Sequence, residues 1–303
     1  MRYGSRWMVE NEPDFIRAEY ALNEVGGFSA TFGGRRLYLV GTGEKGFCWM
    51  RLRARGAPGH GSTPHDRNAV VSLANAVARV ASGRLSTAVR PAARAFIEAA
   101  ARALGLPGGL LLRARLYEPA RTPALAALSL IDPERARLFH AMLHATVSPT
   151  GLRAGEKENV IPSEAEAVLD GRFLPGTTRE SLVAEVASLA GPGIEIEMID
   201  SGMPTEFPLD SALFRTIAEA LPRHDPGGEA VPWLNVAFTD ATHLARLGIR
   251  CYGFYPLRLP PDLPFASLFH GHDERVPLEG YRFGFKLFYD VVRSFATGEG
   301  AAG

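Results

Sequence analysis

Two histidine-bearing segments hold the densest chemistry in this chain. His270-Gly271-His272-Asp273-Glu274-Arg275 sets five ionisable groups within six positions, after a proline-rich loop from Pro256 to Pro264 and before an apolar helical pattern. A His-x-His pair on a strand would turn both rings to one side and suit a single metal ion, whereas in a turn only one ring reaches it; such a pair is equally a surface or capping feature. Gly59-His60-Gly61-Ser62-Thr63-Pro64-His65 lies between a strand-like run and a helical one, and its small residues allow close backbone approach. A turn with a capping histidine is the plainer reading of that segment. Glu24 sits in a flexible Leu22-Asn23-Glu24-Val25-Gly26-Gly27 stretch, where a carboxylate is ordinarily just solvated. Asn159 and Arg172 read by themselves as a turn amide and a surface charge, and Thr239-Asp240-Ala241 as a helix N-cap.

The elements that position these residues follow from periodicity. Cys48, Met50, Leu52 and Ala54 alternate with Trp49, Arg51, Arg53 and Arg55, which predicts a strand from Gly46 to Arg55 with one buried face. Val70, Leu73, Ala74, Val77 and Val80 recur at helical spacing until Gly83, and an Ala-rich helix is expected from Pro91 to Leu104. A second strand spans Ala165 to Phe173. Thr177-x-x-Glu180 then gives a capping-box signature ahead of Leu182, Val183, Val186 and Leu189, and a further strand covers Ile194 to Met198. This succession predicts a small α+β sandwich over 44–200. The flanking parts, 1–43 and 201–303, read as pieces of a larger α/β layer interrupted by the insertion. They include helices at Leu213–Leu221 and Pro277–Phe295, the latter with Tyr281, Phe285, Phe288, Val292 and Phe295 on one face, and a buried strand at Ile249–Tyr255.

Composition narrows the partners. In 303 residues, 33 Lys and Arg balance 33 Asp and Glu, so no global field favours nucleic acid or an anionic membrane, and small-molecule or peptide chemistry is expected. The polar N-terminus lacks the apolar core of a secretory signal, and no later apolar run approaches the roughly 20 residues of a membrane span. Cys48 and Cys251 each sit in an apolar run and read as buried free thiols, which points to a reducing, cytoplasmic setting.

Taken in order, Ala21-Leu22-Asn23-Glu24, Glu44-Lys45-Gly46, Gly59-His60-Gly61-Ser62, Glu156-Lys157-Glu158-Asn159-Val160-Ile161-Pro162, Asp170-Gly171-Arg172, Thr239-Asp240-Ala241 and the His270 segment resemble the M20 family of zinc metallopeptidases. The similarity covers essentially the whole chain and is greatest to the carboxypeptidase and aminoacylase branch. It implies an α/β catalytic domain with an inserted α+β, ferredoxin-like lid and dimerisation domain, two zinc ions, a homodimer through the lid, and a small peptide or N-acyl amino acid substrate. By the same resemblance Glu24 and His270 hold metal, His60 stabilises the oxyanion in the neighbouring subunit's site, and Asn159 and Arg172 hold the substrate carboxylate and carbonyl oxygen. His272 has no ligand counterpart and is left as a residue supporting the ligands.

The sequence departs from the family pattern ahead of Glu24. The expected His-x-Asp motif, bridging Asp and Glu-Glu pair have no match there, and Glu10-Asn11-Glu12 lacks their context. The chain is therefore expected to be the C-terminal portion of such a hydrolase, catalytically incomplete and with weak or partial zinc binding, because a dinuclear hydrolytic site needs about four to six protein ligands. Two alternatives remain open at this point: a non-catalytic dimerising or ligand-binding protein built on the lid, and completion of the site by a separate chain.

Overall fold

The computed structural model describes residues 3–298. In chain order the elements are α1 (Ser5–Asn11), β1 (Tyr20–Asn23), β2 (Ser29–Phe32), β3 (Arg35–Glu44), β4 (Gly46–Arg55), β5 (Gly59–His60), α2 (Ala69–Ser82) and α3 (Pro91–Leu104). Then come α4 (Gly108–Ala114), α5 (Arg121–Ile131), α6 (Pro133–Leu143), β6 (Thr146–Ala154), β7 (Val160–Ile161), β8 (Glu164–Phe173), α7 (Arg179–Ala190) and β9 (Ile194–Gly202). The remainder supplies β10 (Thr205–Glu206), α8 (Ala212–His224), β11 (Gly228–Asn235), α9 (Ala241–Leu244), β12 (Arg250–Gly253), α10 (Phe265–Leu268) and α11 (Leu278–Thr297). These form two compact units. One comprises the chain up to Glu44, Val89–Leu143 and everything from Thr205 on; the other comprises Lys45–Ala88 and His144–Pro204.

The smaller unit is an antiparallel four-stranded sheet in the order β6-β8-β4-β9, with α2 and α7 on one face, which is the ferredoxin-like arrangement. Alternation in β4 decides its faces. Cys48, Met50, Leu52 and Ala54 are buried with Leu73 and Val80 of α2 and Leu182 and Val186 of α7. On the opposite face Arg51, Arg53 and Arg55 meet Glu164, Glu166, Glu195 and Glu197 across the strands. Exposed cross-strand pairs of this kind contribute little to stability and chiefly fix register. Helix α7 is capped by Thr178, whose hydroxyl accepts from the Ser181 amide, while the Thr177 hydroxyl donates to the Leu174 carbonyl. The capping box is thus one residue later than Thr177-x-x-Glu180 suggests, because Thr177 closes the preceding turn.

The larger unit is a layered α/β structure around a mixed six-stranded sheet centred on β3. Along one side β3 pairs in parallel with β11; along the other it meets β2, β12 and β10, and β1 joins β12 in parallel. Tyr38 and Val40 bury with Leu213, Ile217 and Leu221 of α8 and with Phe283, Leu287 and Val291 of α11. Below Tyr38, Asp225 accepts hydrogen bonds from the Tyr38 hydroxyl and the Arg36 guanidinium, which holds its carboxyl below the usual carboxylate range.

One expectation differs from what is observed, and the structure also chooses the inner face of α11. Residues 44–200 were expected as one inserted stretch, yet Val89–Leu143 belongs to the larger unit. Phe96 of α3 and Phe139 of α6 stack on each other and close on Phe32 of β2, which ties those helices to that sheet. In α11 the inner face is Gly280, Phe283, Gly284, Leu287 and Val291, while Tyr281, Phe285, Phe288 and Val292 face outward, Phe285 being 67% exposed. Both faces are apolar, so periodicity alone does not choose between them. Glycine does: a Cβ at Gly280 or Gly284 would overlap the carbonyl oxygen of Arg258 or Pro256, so only this face can approach the backbone there.

Gly284→Ala should destabilise the fold by about 2–3 kcal/mol, an overpacking cost. Phe285→Ala should stay within about 0.5 kcal/mol, as for an exposed position. Urea unfolding of the two variants checks the assignment of the inner face, and equal losses would overturn it.

Candidate functional site

The smaller unit brings two of the sequence-selected residues side by side. β5 pairs with β7 in the register His60 to Val160, and the Gly61 amide donates to the Asn159 carbonyl at 2.7 Å, so the His60 turn and the Asn159 turn lie against each other. Both side chains are exposed. The Ser62 backbone nitrogen lies 3.3 Å from His60 Nδ1. Nδ1 also lies 2.8 Å from the Ser62 hydroxyl, a group able to donate or accept, so the two contacts orient the ring on its turn without choosing its tautomer.

Arg172 lies on the face of β8 away from the helices. Its Nε and Nη2 donate to the two Asp170 oxygens at 2.7 and 2.8 Å, a bidentate pair that fixes the plane of the guanidinium. Its register neighbours are Phe47 on β4 and Thr146 on β6. Lys45 stands beside it, fully buried, with Nζ donating to the His144 carbonyl and the Thr146 hydroxyl, both at 2.9 Å. Burial first, and then the Arg172 charge, lowers the Lys45 ammonium from its usual 10.5 to about 7.

In the larger unit Glu24 occupies the loop between β1 and β2. The loop is sharply bent: Val25 has φ of 62°, and Gly26 lies so close to the Gly253 carbonyl that a Cβ would overlap it. Glu24 is exposed and lines a small cavity together with Asn23, Glu44, Thr205, Asn235 and Thr239. Glu44, at the end of β3, is buried. Burial raises its carboxyl from 4.5 to about 7, with the neighbouring Glu24 charge adding to the effect and hydrogen bonds from Thr239 and Thr242 opposing it. His270 lies in an exposed loop with φ of 59°, its backbone amide donating to Glu274 Oε2 at 3.3 Å. His272 is exposed as well. Among the described residues no group of three or more His, Cys, Asp or Glu side chains gathers as a metal cluster.

Residues 42–195, just over half of the chain, match the family model of the M20 peptidase dimerisation domain. The chain belongs to the M20 peptidase family. It is 26% identical over 261 residues to a probable carboxypeptidase S-like protein of Dictyostelium discoideum, covering 84% of this chain and 48% of that one. It is 26% identical over 276 residues to an N-fatty-acyl-amino acid synthase/hydrolase of Bos taurus, covering 86% and 51%. The chain thus spans about half the length of the curated relatives it matches. In fold it is similar to an M20 family metallo-carboxypeptidase from Sulfolobus solfataricus, with a TM-score of 0.64 at 16% identity over 96% of this chain and 66% of that one. A dipeptidase from Saccharomyces cerevisiae gives 0.59 at 13% identity, covering 96% and 62%. The M20 fold with its dimerisation domain therefore agrees with the α/β layer and ferredoxin-like insertion expected from the sequence. Among the described residues no helix is long and apolar enough to cross a membrane, and Cys48 and Cys251 are free and buried.

Sequence reasoning quoted Glu44 and Lys45 only as part of a motif and gave neither a role. A signal was present: an acid and a base that follow the apolar Leu37-Tyr38-Leu39-Val40 run after only Gly41-Thr42-Gly43 cannot both be surface charges if the strand stays buried to its end.

The two residues make opposite contributions to the pH dependence of stability. Glu44 binds its proton more tightly when folded, so its contribution is fully present below about pH 4.5 and is lost as pH rises through about 7. Lys45 binds its proton less tightly when folded, so its contribution is fully present above about pH 10.5 and is lost as pH falls through about 7. Urea midpoints should fall between those lower limits in the parent and less so in Glu44→Gln. They should rise from about pH 7 upward in the parent and less so in Lys45→Met.

Proposed function

We propose that this chain supplies the lid and part of the catalytic layer of a metal-dependent hydrolase that cleaves amide bonds in small peptides or N-acyl amino acids. The observation that carries this reading is the β5–β7 pairing, which sets an exposed His60 beside the turn bearing Asn159. A hydrogen-bond donor next to a turn amide, on the same unit as a bidentate-competent arginine, suits an amide substrate that carries a carboxylate.

In this reading Arg172 binds the substrate carboxylate while Asp170 keeps the guanidinium plane fixed. Asn159 donates to the substrate carbonyl oxygen. His60 donates a ring N–H hydrogen bond to the oxyanion that develops on that oxygen, acting in the partner protomer of a homodimer built through the smaller unit. Glu24 and His270 are the residues of this chain that would hold metal, zinc being the ion their carboxylate and imidazole donors suit. When bound, the metal supplies an activated water. The exposed Glu24 on a rigid loop fits a ligand role, but two donors are fewer than a closed site needs, so affinity from this chain alone is weak and poorly selective among divalent ions.

Zinc titration against a chromophoric chelator and calorimetric binding of an N-acyl amino acid test these roles. Glu24→Ala and His270→Ala should each weaken zinc binding measurably, and Arg172→Met should weaken the N-acyl amino acid by about tenfold or more, the scale of a charge-assisted pair. His60→Ala should leave that binding unchanged and, in any hydrolytically competent assembly, lower kcat by about 100-fold. Binding indifferent to Arg172, or zinc affinity indifferent to both Glu24 and His270, would overturn the proposal.

A second reading is favoured by the completeness of the smaller unit, whose four strands and two helices need no other element to close their core. It casts the chain as a non-catalytic dimerising or ligand-binding protein. Light scattering would then report a dimer in which ligand binding persists with no hydrolysis under any metal. The buried thiols are compatible with a cytoplasmic setting for either reading.

A further inference from the structure

We propose that Glu44 is the positioning residue for Glu24, acting through the Thr239 hydroxyl. Three buried or half-buried polar side chains far apart in sequence make a single hydrogen-bonded line. Asn23 Nδ2 donates to Thr239 Oγ1 at 2.7 Å, and Thr239 Oγ1 donates to Glu44 Oε2 at 2.8 Å. The Ala241 amide also donates to Thr239 Oγ1, at 3.1 Å. A hydroxyl has one proton and two acceptor positions. With an amide side chain and a backbone N–H both donating to it, the Thr239 oxygen has only its proton left to give, and Glu44 is where that proton goes. The direction of every bond in the line is therefore set by the carboxylate at its end.

This line holds the entry to the loop that presents Glu24. Asn23 is the last residue of β1 and immediately precedes Glu24. On the far side of Glu24 the backbone is already fixed, since Val25 is left-handed and Gly26, Gly41 and Gly253 meet without room for a Cβ. Glu44 itself cannot drift. It is 4% exposed, lies between Thr205 and Asn235 in register, and lines the same small cavity as Glu24. Its Oε1 has no hydrogen-bond partner among the described residues, and neither has the buried Thr205 Oγ1. The assignment rests on the reading that Glu24 is the metal-holding residue only for its consequence, not for its geometry.

Amide hydrogen exchange of the full chain, with Asn23–Gly27 read against amides of the smaller unit, tests it. Thr239→Val and Glu44→Ala should each speed exchange in that loop about tenfold, and the double variant should go no further than the singles, since one line is cut in either place. Glu44→Gln, which keeps an acceptor for Thr239, should match the parent. Zinc affinity should fall about tenfold in the first two variants and not in Glu44→Gln. Unchanged loop exchange in folded Thr239→Val, or additive effects in the double variant, would overturn the proposal. If Glu44→Ala does not fold, Thr239→Val against Glu44→Gln decides. Should the parent's zinc affinity be indifferent to Glu24→Ala, the metal reading fails, while the exchange data still decide the role of Glu44.

Discussion

Burial of the Glu44 carboxylate at the end of β3 is the constraint from which the larger unit is organised. A carboxylate that is 96% out of water has to find donors, and here they come from the turn ahead of α9, through the Thr239 hydroxyl. That turn can reach Glu44 only if β11 runs alongside β3 to its last residue, and the register from Gly228–Arg36 to Asn235–Glu44 does this, with one irregularity at Trp233 and Leu234. On the other flank Thr205 of β10 pairs with the same residue. A single polar group thus selects how far the central strand extends and which segments end beside it. Nothing in the apolar core specifies the strand's end in this way, because hydrophobic burial is non-directional.

Close backbone approach is the second constraint, and it works where side chains cannot. Gly41 on β3 and Gly253 on β12 face each other in the sheet, and Val25 and Gly26 pack over them. The Glu24 loop is therefore held by main chain on main chain. The same device sets α11, where Gly280 and Gly284 sit on the carbonyls of Arg258 and Pro256. Glu24 lies two residues before Gly26, so its placement follows from the path of the backbone.

How much of this is legible in the sequence depends on the range of the deciding interaction. β4 and α3 are readable to their ends, because strict alternation from Gly46 to Arg55 and the Pro91 and Gly105 that bracket the helix are local signals. His60, Asn159 and Arg172 stand out only through the resemblance of their short motifs to the M20 family; by themselves they read as a turn histidine, a turn amide and a surface charge. The inner face of α11 is not, since its two aromatic faces compete and only the partner of Gly284, distant in sequence, chooses between them. The role of Glu44 is not readable either: a lone acid reads as solvated, and the hydroxyl that fixes it lies 195 residues away. The helices of Val89–Leu143 are readable as helices but not as belonging to the larger unit, because the Phe32, Phe96 and Phe139 cluster that assigns them is a tertiary contact.

The two units consequently prepare their functional residues by different physics. In the smaller unit His60 takes its orientation from Ser62, two residues on, and Arg172 takes its plane from Asp170, two residues back. Such short-range arrangements need only the local strand or turn, and they cost little conformational entropy because the partners are already held close. Glu24 depends on contacts from residues at positions 41, 44, 239 and 253, so it is poised only when the whole larger unit is folded. The sensitivity of Glu24's placement is thereby concentrated in the packing of one sheet. Loosening at β3 or β11 would therefore reach Glu24 before it reached His60, Asn159 or Arg172, although none of the loosened residues touches substrate in the proposed scheme.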